Sequence, residues 1–430
     1  MKIAFITAGA AGMYCGSCMR DNALVTALIA AGHEALLIPT YTPIRTDELD
    51  VSQGKVFYGG INVYLQDKSW LFRHTPRFFD WLLNRPWLLR WVSRKARSID
   101  YADLAGLTVS MLRGADGRQA KELEKLVEFL RDEVKPDVVV LTNALLSGLV
   151  PTVKKALGVP VFATLQGDDI FLNALPVKAR AECLAAIRRN DASVTGYLAT
   201  CHAYADDMAT YFGVARSKIQ VVYPGINLAG HGGPAPAAER PPAVGYFARI
   251  CPEKGFHNAV SAFLHLRHDL RVPGVKLKAA GWLGANDETF FAEQVARLTA
   301  AGLADDFEHL GSPDHVGKVA FLQSIDVLTV PTDYHEPKGL PVLEAWANGV
   351  PVVQPRHGSF PELLAATGGG LLTTPGDAAD LAQKLQALLA DADHRRRLGE
   401  AGRAGVHAHF TADRMAAATV EALAKHLPAA

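Results

Sequence analysis

Short apolar runs separated by helix-length amphipathic stretches recur along the chain. Residues 2–7, KIAFIT, are mostly apolar, as a strand buried on both faces of a parallel sheet should be. A loop holding Gly9, Gly12 and Gly16 follows. Leu24, Ala27, Leu28 and Ala31 fall at helical spacing, which predicts a helix over 20–31; Gly32 stops it before a second strand, EALLIPT, at 34–40. A charged helix at 120–134 leads into DVVVLT at 137–142, and PVFATLQ at 160–166, SVTGYLAT at 193–200 and KIQVVYP at 218–224 continue the series. Strands parted by helices imply a doubly wound parallel sheet.

The pattern breaks at 228–242, LAGHGGPAPAAERPP, where Gly, Pro and Ala replace any apolar period. This stretch reads as an interdomain linker. A second alternating series begins at once with AVGYFARI and runs through VKLKAAG, DFEHLG, DVLTVPT, PVVQPR and GGLLTT. Helical patterns at 377–392, 394–408 and 412–427 close the chain. The expected organisation is α/β: a first domain over 1–227, the linker, a second domain over 243–410, and a C-terminal helix over 411–430 with the option of crossing back to the first domain. Two Rossmann-like domains facing across a cleft would place a ligand in that cleft.

One insertion, about 55–115, departs from the alternation. Within it residues 68–97 hold four of the six tryptophans and eight Lys or Arg against one acidic residue, Asp80. Such a mixture suits a surface lying on an anionic membrane. It equally suits a helical insertion that packs its rings under a lid or a second subunit, with arginines in water; packing is the favoured reading, and a homodimer stays open. An acidic glycan or lipid acceptor would dock here.

Composition adds bounds. At 430 residues, two or three domains are expected. A chain 49% hydrophobic and 20% charged is not a disordered tail, a collagen or a disulfide scaffold. The 44 basic residues balance the 44 acidic ones, so no global field points to nucleic acid. Five scattered cysteines suit a reducing cytoplasm, with attachment at the inner membrane face as a variant. No signal peptide or spanning apolar run is read in the sequence.

Three features carry candidate chemistry. The first is the glycine loop at 9–16, where a phosphate or sugar can approach the backbone and a helix start offers free N–H groups. Its spacing is not the dinucleotide fingerprint, and strand two ends without an acidic residue for a ribose. The second is the pair Arg249 and Lys254 in GYFARICPEKGF, a fork and a point charge suited to a leaving diphosphate. The third is EPKGLPVLE at 336–344. Pro341 suits a first helical turn, which leaves Glu336 in a loop and Glu344 on the helix. Eight residues of helix span roughly 12 Å, enough to reach from a sugar ring to a ribose. The amides of Lys338, Gly339 and Leu340 would face an anion at the helix start. Each feature alone has a plainer reading: a tight turn, surface charges, or acidic residues that favour a helix start.

Together they resemble the family-4 glycosyltransferases (glycosyl transferases group 1) of the GT-B fold. FARICPEKG is similar to that family's Arg/Lys phosphate motif, and EPKGLPVLEAWANGVPVV to its E-x7-E signature with the following strand. SFPELL with GGGLLTTPGD, and VVYPGIN before the linker, extend the likeness. Counted back from Gly32 and His33, Gly16 falls at the second glycine of the family's N-terminal loop. The resemblance implies that Arg249 and Lys254 hold a donor diphosphate. Glu344 would accept ribose hydroxyls, Glu336 those of the transferred sugar, and Gly16 would lie against phosphate or acceptor. It also implies a retaining reaction with no protein-bound metal and no tightly bound cofactor. The donor would be a nucleotide-diphosphate sugar, UDP foremost with GDP or ADP as alternatives, and the acceptor a carbohydrate, lipid or small molecule.

The chain departs from the family at TLQGDD, where Gln166 stands in place of a frequent His. A Gln can bond a sugar hydroxyl but cannot titrate. Asp168 or Asp169 could take over, although paired carboxylates after a strand are more often caps. VYPGIN lacks the Asn that commonly precedes its glycine. His315, in GSPDHVGK, falls in a loop-like stretch where the family often contacts the donor base. Cys15 and Cys18 form a C-x-x-C, read as a structural pair in preference to a redox or metal site. Two rival functions remain at this level: a nucleotide-sugar epimerase or phosphorylase of the same architecture, and a catalytically silent nucleotide-sugar binder.

Overall fold

The computed structural model describes residues 1–9, 15–53, 101–232 and 240–427. They divide into two compact units, Met1–Val222 with Ala416–Ala430, and Tyr223–Met415. The aromatic and basic stretch at 68–97 lies outside the described residues, as does most of the insertion around it. No helix among the described residues is long and apolar enough to cross a membrane.

The first unit holds β1 (Lys2–Thr7), β2 (Glu34–Pro39), β3 (Val138–Leu141), β4 (Val161–Leu165), β5 (Gly196–Ala199) and β6 (Ile219–Val221). All pair in parallel, in the order β2-β1-β3-β4-β5-β6. Every residue of β3 and β4 is buried, which is why these strands read as unbroken apolar runs. Strand order reverses between β1 and β3. Loops leaving neighbouring strands diverge at such a point and open a crevice at the strand C-termini. Thr7 ends β1, Thr142 follows β3 and Gln166 follows β4.

The first helix covers Gly16–Ala30, starting four residues before the apolar spacing indicates. Arg20 through Val25 are all buried, polar and apolar alike. Over that stretch, where polar and apolar residues alike are enclosed, burial does not follow an apolar stripe.

The second unit repeats the plan with β7 (Ala243–Phe247), β8 (Lys276–Ala280), β9 (Phe307–His309), β10 (Val327–Leu328), β11 (Val352–Pro355) and β12 (Gly370–Thr373). Their order is β12-β11-β10-β7-β8-β9, again parallel, with the reversal between β7 and β10. The unit's core runs from Tyr246 and Phe256 to Trp346 and Phe360. Trp346 is fully buried and donates its indole N–H to the Gly369 carbonyl at 2.7 Å.

The composition break at 228–242 does not mark where the second unit begins. Ile226 donates to the Phe410 carbonyl at 3.0 Å and accepts from Ala412 at 2.9 Å, so the chain joins this unit from Tyr223. His231 accepts from the Asn348 side chain at 2.8 Å, and Gly232 donates to its oxygen. His231 and Gly232, at the edge of the described residues, are thus held by polar contacts; 233–239 lie outside the described residues. The last helix, Ala412–Ala424, starts in the second unit and continues into the first.

Candidate functional site

In the second unit the loop after β7 carries both expected cations. Tyr246, on β7, donates its hydroxyl to the carbonyls of Arg249 at 3.0 Å and Lys254 at 3.2 Å, tying the two ends of the loop together. Gly255 follows with φ +71°, and a Cβ there would sit 1.7 Å from the Pro331 carbonyl oxygen. Only glycine lets this loop lie against the chain leaving β10. Asp333 donates its amide to the Glu253 carbonyl at 3.2 Å, adding a second stitch.

This approach brings Lys254 onto Glu336. The ammonium donates to Oε2 of the carboxylate and to the Tyr334 hydroxyl, and that hydroxyl donates to the same Oε2. The other oxygen, Oε1, accepts the amides of Lys338 at 3.1 Å and Gly339 at 3.2 Å. Glu336 is 4% exposed. Burial pushes its carboxyl up, but the charges of Lys254 and Lys338 and the bonds from Lys254 and Tyr334 outweigh this and hold it down at about 2. Burial, and then the same carboxylate, push the Tyr334 phenol well above its ordinary range, so it remains a donor.

In this structure the amides of Lys338 and Gly339 bond the Glu336 carboxylate. A carboxylate two and three residues back reaches these donors without loop movement. Gly339, at φ +66°, turns the chain into helix Leu340–Ala347, with Leu340 its first residue and Pro341 in the first turn. Arg249 keeps 38% of its side chain exposed, with Nε 3.2 Å from the Cys251 sulfur and Nη2 3.8 Å from Glu253. Neither contact is a bidentate pairing, so most of its N–H donors stay uncommitted.

Glu344 lies on the buried side of its helix and pairs with Lys318 at 2.8 Å, both side chains almost fully enclosed. Lys318 belongs to helix His315–Gln323, so His315 opens a helix where the sequence reads a loop; Asp314 caps it. Sequence reasoning misses Lys318, whose partner stands 26 residues away. It also misses Tyr334, which lies in an irregular loop two residues before Glu336.

In the first unit, Gly16 is the first residue of its helix. Gln166 donates to the Thr142 carbonyl at 2.8 Å and its hydroxyl at 3.1 Å. That hydroxyl donates to Asp21, which also accepts from Arg20 at 2.9 Å. Asp21, Arg20 and Thr142 are all buried and none is singled out by the sequence. Asp168 accepts the Ala144 amide at 2.7 Å on one oxygen and the Gln166 amide at 3.1 Å on the other. Burial pushes its carboxyl up to about 6 against these two bonds. With both oxygens on backbone amides, Asp168 holds two strand-end loops together; it does not cap its own helix, which begins at Asp168 with Gly167 as N-cap and no side-chain cap. Asp169 accepts from the Tyr204 hydroxyl at 2.6 Å, which itself receives the amides of Gly167 and Asp168. Among the described residues no group of three or more His, Cys, Asp or Glu side chains converges as a metal site.

Comparison with known proteins adds an independent line. A profile described as "Glycosyl transferases group 1" matches residues 234–405, and one described as "Glycosyltransferase Family 4" matches 109–229. A glycogen synthase of Mycobacterium tuberculosis (strain CDC 1551 / Oshkosh) is 31% identical over 230 residues, 52% of this chain and 53% of that protein. The chain spans about half the length of the curated relatives it matches. Among solved structures, sucrose-phosphate synthase from Thermosynechococcus elongatus superposes with a TM-score of 0.69 at 19% identity, covering 98% of each chain. Anabaena HepE in complex with UDP gives 0.69 at 16%, covering 99% of this chain and 100% of that one. Both likenesses bear on the fold, which is GT-B.

Proposed function

The chain belongs to the family-4, group 1 glycosyltransferases, and from that premise we propose that it transfers a sugar, with retention, from a nucleotide-diphosphate donor to an acceptor. The observation that carries this reading is the Lys254–Tyr334–Glu336 cluster at the strand C-termini of β7 and β10, with Arg249 on the same loop. Two cations and a strand-order reversal suit a diphosphate, and the relative seen with UDP supports a uridine nucleotide first, GDP or ADP next.

Charge grows on the diphosphate as its bond to the anomeric carbon lengthens. The exposed fork of Arg249 and the ammonium of Lys254 stabilise that charge more in the transition state than in the ground state. Glu336, held at about 2, stays ionised at any working pH, so it is not a proton shuttle. It aims Lys254 and the amides of Lys338 and Gly339, and exchanges part of that hydrogen bonding for hydroxyls of the bound sugar. Glu344 takes the ribose hydroxyls by the same kind of exchange with Lys318. The first unit supplies the acceptor side through Gly16 and Gln166, with Asp168 holding the Gln166 amide. The acceptor is a carbohydrate, lipid or small molecule.

A thermal-shift series against UDP-, GDP- and ADP-sugars tests the reading. A ligand at 100 times its dissociation constant stabilises by about 2.7 kcal/mol. No shift with any of the three, in a chain that folds, overturns it.

A further inference from the structure

The C-x-x-C of the first unit takes no part in the reading above. Cys15 is the N-cap of helix Gly16–Ala30, with extended backbone at φ −109°; its side chain caps no amide, while its carbonyl accepts from Met19 at 3.0 Å. Cys18 stands in the first turn, and the two thiols share a hydrogen bond. Two sulfurs already in contact at a helix start need little backbone movement to join. None of the five cysteines is in a disulfide in this structure.

The two thiols are unequal. Cys15 is half-buried and stands at the N-terminal end of the helix. Cys18 is 2% exposed, and its bond to Cys15, burial and the Asp21 charge push its thiol far up. An accessible attacker beside a buried resolving thiol is the division of labour that disulfide exchange requires. Cys183, Cys201 and Cys251 are buried in other parts of the fold.

We propose that Cys15 and Cys18 are a redox modification site that closes to an intramolecular disulfide by exchange with a small-molecule disulfide such as glutathione disulfide. The Cys15 thiolate attacks one sulfur of that disulfide, forming a mixed disulfide and releasing one thiolate. Cys18 gives up its proton and attacks the Cys15 sulfur, releasing the second. The protein dithiol loses two electrons and two protons, and one small disulfide becomes two thiols. Closure fixes the turn that carries Gly16, and it removes the Cys18 S–H one turn before Asp21, the anchor of Thr142 and Gln166. The effect on transfer rests on the proposed function; closure itself does not.

The test uses the full chain, reduced, then equilibrated in glutathione buffers of rising disulfide fraction, acid-quenched, denatured and alkylated. Both cysteines fall in one tryptic peptide, 3–20. That peptide is expected to lose both alkyl groups together and to weigh two hydrogens less than the dithiol, reversibly with dithiothreitol, while the other three cysteines remain alkylated. Cys18→Ser is expected to stall as the glutathione mixed disulfide on Cys15, and Cys15→Ser to form neither product. Complete alkylation of both thiols at the highest disulfide fraction, a mixed disulfide that persists in the wild type, or pairing of Cys15 with another cysteine overturns the site. Transfer measured on the same samples is expected to fall with the closed fraction; unchanged transfer overturns the link to activity.

Discussion

Lys254 and Glu336, 82 residues apart, meet as an ammonium on one oxygen of a buried carboxylate whose other oxygen is taken by two backbone amides. The carboxylate is fully engaged before any ligand arrives.

Its acid behaviour follows. Glu336 has a folded value of about 2, below the ordinary 4.5, so folding favours its ionised form. That contribution, about 3 kcal/mol, is complete above pH 4.5 and is lost as pH falls through 2. Urea unfolding of the second unit at a series of acid pH values is expected to show this loss in the wild type and a flatter profile in Glu336→Gln.

Lys254→Ala should lower turnover at least tenfold, about 1.4 kcal/mol of transition-state stabilisation. An unchanged rate of donor turnover would contradict the phosphate role. Tyr334→Phe removes only the hydroxyl that donates to Glu336. It should cost about 1 kcal/mol of stability and reduce turnover while nucleotide affinity holds. Calorimetric titration with UDP separates the two effects.

Glu344 and Lys318 are enclosed together, so removing one partner breaks a buried ion pair. Lys318→Met should destabilise by about 3–5 kcal/mol, and adding Glu344→Gln should recover much of that. Glu344→Ala should weaken nucleotide binding more than it slows transfer by the bound complex, whereas Glu336→Ala should mainly reduce transfer. Equal affinity for UDP in wild type and Glu344→Ala would remove Glu344 from the ribose.

Gln166 and Asp168 should separate by phenotype. Asp168→Ala leaves the Ala144 and Gln166 amides without their acceptor, a loss of at least about 2 kcal/mol visible in the melting temperature. Gln166→Ala removes two bonds to Thr142 and should lower transfer as well as the melting temperature, whereas Asp168→Ala should act on the melting temperature first.

Much of this architecture is legible in the residues because the strands are buried on both faces. Runs such as DVVVLT and AVGYFARI announce themselves, and the structure trims them by a residue or more. Glycine and proline around 339–341 likewise signal the turn into the helix that bears Glu344. What resists reading is pairing at a distance. Nothing local to Lys318 says that it meets Glu344, nor to Asp21 that it meets Thr142, because the sheet supplies the encounter. The early start of the first helix is hidden for a different reason: its first residues, Gly16, Ser17, Cys18 and Met19, show no apolar period, and the leading glycine reads as loop.

The missing side chain at position 255 has a consequence for redesign. It leaves no clearance between two loops of different sequence origin, so the segments 249–255 and 331–336 form one inheritable part. A chimera that exchanges either segment alone should fold yet hold its opposite charges apart, and only a transplant of both should restore them.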